Sequence, residues 1–416
     1  MSIESPTEPV VIVGGGLAAA RAAEAVRAQD AGIDVVLVTA ERHQPYERPP
    51  LSKEYLRGQA EPDAVFPLEE SWYSEQRVEV RTSAMVVGLD PAARRATLTD
   101  GTVLPFSRLL LATGSTPRSL GVPGHELAGV HTLRTVDDAD LLAGILLNAS
   151  LEGAERVVVV GDGWIGTEVA ASARTLGLDV CLVGLAANPL EAVLGPELGA
   201  LYGALHTERG VGRHRGEAIA LTGEKGRVTG VDLTGDRHLE ADVVVIGVGV
   251  TPNIGLAVAA GLELRPAAQG GGVVVDGSLR TSHPDVFAAG DIASIPSPHY
   301  GRPLRVEHWA VAQESGAHAG RAMLGDDSPY DVLPYFFSDQ FDVGMEYKGF
   351  VDLRAGGYEL VISGSTEDRE LVAFWLRDGA VHAGMAMNVW ERMDDVEELI
   401  RSRRVVPRDE LEAFTG

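Results

Sequence analysis

Uninterrupted apolar runs punctuate the chain: VVIV at 10–13, VVLV at 35–38, LLLA at 109–112, VVVV at 157–160 and VVVI at 243–246. Runs this short, rich in β-branched residues and lacking polar alternation, predict strands covered on both faces, as in a parallel sheet. After two of them the pattern repeats, in VVIVGGGLAAARAAEA at 10–25 and VVVVGDGWIGTEVAAS at 157–172. Each run ends in closely spaced glycines and continues as an alanine-rich helix, the first expected over 17–29. The glycines permit a tight turn and a close backbone approach. The helix N-terminus adds unpaired amides and a partial positive charge, so each copy is built to receive a pyrophosphate. Two copies in full strand and helix context imply two dinucleotides held at once.

VVLVTAE at 35–41 reads as the second strand of the first unit. Glu41, at its end, is the acid expected to grip a ribose hydroxyl, and Ala40 beside it offers nothing polar. In YERPPLSKEYL at 46–56 the double proline is expected to break regular structure before a short helix capped by Ser52. Arg48 and Lys53 then either meet phosphate or a flavin ring, or belong to an ordinary charged loop. Residues 77–106 alternate as strands and hairpins, with a turn at Asp100 and Gly101. LLLATGS at 109–115 is an apolar strand ending in a small-residue turn, and VVVIGVG at 243–249 is another buried strand. GGVVVDGSLRTSHPDVFAAGDIAS at 271–294 predicts a strand pair, then a strand ending in Ala-Gly-Asp before a helix, where Asp291 can bond a ribityl hydroxyl. From about 326 alanines thin out and alternating segments such as YELVISGS and ELVAFWLR take over.

The predicted fold class is α/β: two Rossmann-like nucleotide-binding domains, of the glutathione-reductase-like kind, plus a C-terminal α+β domain. The expected division is a discontinuous first nucleotide-binding domain, 1–121 with 250–325, a second one, 122–249, and a C-terminal domain, 326–416. The duplicated nucleotide fold is the one internal repeat.

A hydrophobic content of 45% with 49 glycines in 416 residues suits such a protein. No apolar stretch is long enough to span a bilayer. MSIESPTEPV lacks the basic and apolar regions of a secretory signal and reads as a short disordered leader, so a cytoplasmic location and no membrane partner are expected. The net charge of −25 argues against general nucleic-acid binding. Arg401, Arg403, Arg404 and Arg408, with Arg302 and Arg305 upstream, form either a local basic patch or a solvated surface run. The single cysteine, Cys181 in VCLVG, reads as a small buried hydrophobe. One cysteine allows neither an internal disulfide nor a dithiol relay, so a flavin in this chain must hand electrons directly to an outside acceptor. No residues are assigned to a metal.

VVIVGGGLAAA, PYERPPLSKEYL, LLLATGSTPR, VVVVGDGWIGTEVAA, LRTSHPDVFAAGDIA, RVEHWAVAQESG and PYFFSDQFDVGMEYKG together carry a family likeness over nearly the whole chain. It resembles the pyridine-nucleotide-dependent flavoprotein reductases of the ferredoxin and rubredoxin type, putidaredoxin reductase-like. The resemblance implies tightly but non-covalently bound FAD in the first unit and NADH or NADPH as co-substrate in the second. It further implies a C-terminal domain covering the flavin side, a small iron–sulfur ferredoxin as partner that supplies an oxygenase, and a monomer or weak homodimer. Carried over by motif, Gly14, Gly16 and Ala18 meet the FAD pyrophosphate and Glu41 the ribose. Arg48 and Lys53 face the flavin, with Lys53, paired to a carboxylate, tuning its potential. Arg134 and Asp291 complete the diphosphate and ribityl contacts, and Trp309 packs near the isoalloxazine. Gly161, Gly163, Ile165 and Gly166 cradle the pyridine nucleotide. Leu17, Val86, Ala112, Thr113, Gly114, Gly249, Gly290, Glu307 and His308 complete the cofactor-binding set. Trp164 is either a gate over the flavin or a helix-packing residue, and Glu168 either orients the nicotinamide amide or is a helix-surface carboxylate. With Lys53 they form the expected catalytic set.

One departure stands out. After VCLVG the family tends to carry an acid for the NADH ribose, whereas this chain has Gly184, then Leu185, Ala186 and Ala187. Neither that acid nor an arginine for a 2′-phosphate follows the strand, and Glu191 could serve if the loop folds back; tighter NADH binding in Gly184→Glu would mark the missing acid as limiting, and no change would place recognition elsewhere. Two rival functions use related folds: reduction of a small oxidant such as a quinone or monodehydroascorbate, and nucleotide-responsive signalling of the kind implied by resemblance to apoptosis-inducing factor.

Overall fold

The computed structural model describes residues 8–152 and 156–414, so residues 1–7 of the expected leader lie outside the described residues. The chain forms two compact units, one from Met1–Glu47, Asp63–Thr116 and Thr251–Pro334, the other from Arg48–Pro62, Pro117–Val250 and Tyr335–Gly416.

In the first unit the apolar runs become a five-stranded parallel sheet in the order Val286–Ala288, Arg108–Leu111, Val10–Val13, Val35–Val38, Val78–Arg81. Val10–Val13 is buried along its whole length, which is why its sequence shows no alternation. Helix Leu17–Gln29 follows directly. Helix Trp309–Met323 packs on it through small residues: a Cβ added to Gly316 would stand 2.3 Å from the Ala18 carbonyl oxygen, and one on Gly320 would stand 2.6 Å from that of Ala22. Strands Val86–Asp90, Arg95–Leu98 and Val103–Pro105 form the expected hairpins. The turn between the last two is closed by Asp100, whose carboxylate accepts from the Thr102 amide at 2.8 Å.

The second unit repeats the plan with parallel strands in the order Gly212–Arg215, Asp179–Gly184, Arg156–Val160, Val243–Ile246, Val130–Thr132. It also holds an antiparallel sheet ordered Tyr335–Gln340, Val343–Gly349, Ala380–Met387, Glu370–Arg377, Glu359–Ser365. One apolar face of that sheet, with Met345, Tyr347, Trp375 and Met385, shares a core with Leu198, Tyr202 and Leu205 of helix Pro196–Glu208. No helix of the described residues is long and apolar enough to cross a membrane.

Three local expectations are corrected. The double proline starts a helical turn instead of breaking before one: Pro49–Ser52 is a 3₁₀ turn with proline at its first position, where its fixed φ fits and its missing N–H costs nothing. Ser52 therefore ends that turn and caps no helix. The second strand stops at Val38, so Glu41 lies in the bend beyond it. Asp291 sits in a single 3₁₀ turn, Gly290–Ile292, that runs into strand Ala293–Ser297 and not into a helix.

The glycine seam generates a test. Gly316→Ala should cost about 1–3 kcal/mol through overpacking, more than the ~1 kcal/mol alanine gains in helix propensity. Gly144→Ala, in helix Val136–Glu152 where an added Cβ meets nothing within 4 Å, should stabilise instead. Urea unfolding of both variants measures the contrast, and equal effects would refute the packing argument.

Candidate functional site: two glycine cradles and a buried ion pair

In the first unit, Gly14 turns the chain at φ +148°, a conformation L side chains rarely adopt, and a Cβ there would stand 2.0 Å from the Ala112 carbonyl oxygen. The turn holding Ala112, Thr113 and Gly114 thus lies against the glycine loop. Asn253 fixes that turn: its side chain donates to the Thr113 carbonyl at 2.9 Å, its amide to that of Gly114 at 2.8 Å, and Thr113 Oγ1 donates to the Asn253 carbonyl at 2.7 Å. Gly16 caps helix Leu17–Gln29 without any side-chain hydrogen bond, which leaves the Leu17 and Ala18 amides of its first turn open to an anion. Gly290 brings a second helix start to the same place, since its added Cβ would lie 3.4 Å from the methyl of Ala18 and 3.9 Å from that of Ala312. His308 caps that second helix, also without a side-chain bond, and Trp309 begins it. Burial pushes the His308 imidazole down to about 4, against the pull of Asp291, so the ring is neutral at pH 7.

Acidic groups flank this convergence. Asp291 is buried, and its carbonyl accepts from Arg305 Nη1 at 3.0 Å, while the same nitrogen meets Glu307 at 2.5 Å. Glu41 accepts from the hydroxyl of the fully buried Tyr46. Val86 is buried at the start of its strand, just after the Ala84 amide bonds the Thr39 carbonyl at 2.9 Å. Two uncapped helix starts, a loop with no room for side chains and an acid past the second strand fit an adenine dinucleotide such as FAD, its diphosphate at the helix N-termini.

The second unit holds the second cradle. Gly161 has φ +116°, and a Cβ there would stand 2.3 Å from the Gly247 carbonyl oxygen. Gly166 lets helix Trp164–Thr175 close on the loop, because its Cβ would fall 1.8 Å from the Gly161 oxygen. Gly163 caps the helix without a side-chain bond, and a Cβ there would meet nothing within 4 Å, so this side of the loop is open. Ile165 is partly exposed. Trp164 packs edge-on against Phe336 at 5.0 Å and Tyr202 at 6.1 Å. The Gly249 carbonyl accepts from the Arg118 amide at 2.9 Å. Arg48 precedes the Pro49–Ser52 turn, and Arg134 precedes helix Val136–Glu152, where its amide donates to Asp138 at 3.1 Å.

Glu168 lies one turn into the same helix and is no surface carboxylate, being 4% exposed. Lys53, 5% exposed, places Nζ 3.0 Å from its Oε2 and donates also to the Pro49 carbonyl at 3.0 Å. Ser52 donates to the same carboxylate oxygen at 2.5 Å, and Ser338 to the other at 2.6 Å. Behind Ser338 the polar chain continues through Gln340, at 3.3 Å, to His206, at 2.9 Å from Gln340. Burial lowers the His206 pKa, so this terminal ring stays neutral. Burial, opposed by Lys53, likewise pushes the Asp339 carboxyl above its usual range.

Sequence reasoning named Lys53 and Glu168, gave Ser52 only a capping role and left Ser338 without one, although both serines stand inside the motifs that carry the family likeness. The residue type gave the charges; the serines acquire meaning only once strand Tyr335–Gln340 meets the helix. Glu191 accepts from the Asn188 amide at 3.0 Å and from its side-chain nitrogen at 3.2 Å, both through one carboxylate oxygen. The arginine patch is neutralised locally: Arg401 pairs with Glu397 at 2.6 Å, Arg404 with Glu410, and Arg408 with Glu359 at 2.6 Å and Glu412 at 2.7 Å. These residues form the solvated run, not a free basic surface. Cys181 is only partly buried on its strand.

Glu168→Ala should destabilise the protein by about 3–5 kcal/mol, because it leaves the Lys53 ammonium buried without its partner. Lys53→Met combined with Glu168→Met should recover most of that loss. A double-mutant cycle in urea would read the coupling, and additive losses would contradict it.

The family described as pyridine nucleotide-disulphide oxidoreductase matches residues 8–316, and the one described as reductase C-terminal matches 335–413. The chain is 39% identical to the ferredoxin–NAD(+) reductase component of the anthranilate 1,2-dioxygenase system of Burkholderia cepacia, over 94% of either chain. Apoptosis-inducing factor 3 of Homo sapiens is 33% identical over 99% of this chain and 66% of its own length. The crystal structure of the covalent putidaredoxin reductase–putidaredoxin complex superposes with a TM-score of 0.89 at 31% identity, covering 99% of both chains. The chain therefore belongs to the pyridine nucleotide-disulphide oxidoreductase family and is an oxidoreductase of its ferredoxin-reductase type.

Proposed function

We propose that the protein takes electrons from NADH or NADPH through FAD to a small iron–sulfur ferredoxin that supplies an oxygenase. The observation that carries this reading is the pairing of two uncapped glycine cradles with a single cysteine. Cys181 is the only thiol in the chain, and burial raises its pKa, so no dithiol stands between a two-electron donor and the acceptor. A dioxygenase-system ferredoxin reductase among the relatives supports the same reading.

FAD, when bound, supplies the redox chemistry, accepting two electrons as hydride and releasing them singly. The chain's residues bind, orient and set charge. In this reading 1–121 with 250–325 hold FAD through Gly14, Gly16, Ala18, Glu41 and Asp291, while 122–249 hold the pyridine nucleotide through Gly161, Gly163 and Gly166. Residues 326–416 contribute Ser338 to Glu168. Lys53 supplies a positive charge that Glu168, Ser52 and Ser338 fix in place, and we assign it to tuning the flavin potential. We further assign the protein to the cytoplasm, as a monomer or weak homodimer.

Stopped-flow mixing should show NADH or NADPH bleaching the flavin, and added ferredoxin should accelerate cytochrome c reduction; bleaching by neither, or no response to ferredoxin, would refute the proposal. Lys53→Met should make the flavin potential more negative, since reduction adds negative charge. An unchanged potential would remove Lys53 from the role.

A further inference from the structure

In the second unit an acidic side chain reaches the end of the second strand from an unexpected direction. In the first unit, Val13 lies opposite Val38, and in the second, Val160 lies opposite Val183. Counting on from these pairs, Gly184 corresponds to Thr39, and the counterpart of Glu41 is Ala186. Gly15 corresponds to Asp162. The two cradles have thus exchanged large for small. A Cβ on Gly15 would strike Thr39 Oγ1 at 2.1 Å, whereas one on Gly184 would strike Asp162 Oδ2 at 1.8 Å. The space that a strand side chain would fill is filled in the second unit by a carboxylate from the glycine loop.

That carboxylate lines a cleft of about 260 Å³, nucleoside-sized, together with Gly184, Ala186, Ala187, Arg213 and Arg215. Burial raises its pKa against the pull of its own amide and of Arg213, and Glu191 adds to the rise. The arginines of the cleft hold the loop that follows the strand. Arg213 donates to the Ala187 carbonyl at 2.8 Å and to Asn188 Oδ1 at 3.2 Å, and Arg215 Nε to the Leu185 carbonyl at 3.2 Å. The Leu190 amide bonds the Asp162 carbonyl at 2.9 Å, which ties the returning loop to the same residue.

We infer that Asp162 accepts the adenosine ribose hydroxyls of the pyridine nucleotide and sets a preference for NADH over NADPH. The inference rests on the reductase reading and deepens it. A carboxylate in this place gains hydrogen bonds from a free 2′-hydroxyl and repels a 2′-phosphate, while the two guanidiniums spend donors on the loop backbone. It also predicts weaker NADH binding in Gly184→Glu, because a side chain at 184 would displace the acid already present.

The test uses the flavin-loaded protein and calorimetric titration with 5′-AMP and 2′,5′-ADP, alongside flavin bleaching by NADH. The wild type should bind 5′-AMP about tenfold or more tightly than 2′,5′-ADP, the scale of a charged hydrogen bond. Asp162→Asn, which preserves shape and fold, should weaken 5′-AMP and abolish the preference. Gly184→Ala should act in the same direction by pushing the carboxylate aside. A wild-type preference for 2′,5′-ADP, a ratio unchanged by Asp162→Asn, or no binding of either nucleotide would overturn the inference. If NADH still bleaches the flavin in those cases, the reductase reading stands without it; if bleaching also fails, both fall.

Discussion

A lysine ammonium and a glutamate carboxylate cannot share a dry interior unless each satisfies the other, and the second unit is organised around that requirement. Lys53 comes from the turn after the double proline, Glu168 from the helix behind the second glycine loop, and Ser338 from the antiparallel sheet near the C-terminus. Every oxygen of the carboxylate has a donor, so the desolvation cost of the pair is offset by directed bonds as well as Coulomb attraction. The consequence is structural before it is chemical: three segments far apart in sequence must arrive together or leave a buried charge exposed to nothing.

The glycines impose the complementary constraint. Where Lys53 and Glu168 demand partners, Gly14, Gly161 and Gly166 demand their absence, since any Cβ would meet a carbonyl oxygen at 2.3 Å or less. Close backbone approach is what leaves helix N-termini uncapped by side chains and available to phosphate. The same economy explains why neither cradle shows a polar side chain at its cap.

Much of this was legible in the sequence because it depends on local chemistry. Buried parallel strands need unbroken apolar runs, and a tight turn into a helix needs glycine, so both cradles were readable from 10–25 and 157–172. What was illegible depends on neighbours distant in sequence. Ser338 has no meaning without Glu168, and the aromatic neighbours of Trp164, Phe336 and Tyr202, come from segments distant in sequence. The double proline was misread because proline breaks a helix interior yet starts a helical turn well. Gly184 reads as a loss because acids are sought at the strand end and in the loop after it, whereas Asp162 reaches the space beside Gly184 from the glycine loop.

The claim that electrons leave the flavin directly, with no thiol relay, is tested most simply by counting them. Anaerobic titration of the flavin-loaded protein with NADH, followed by oxidised ferredoxin, should consume one NADH per flavin and then reduce two ferredoxins per NADH. Uptake of four electrons per flavin, or reduced flavin that leaves ferredoxin oxidised, would contradict it.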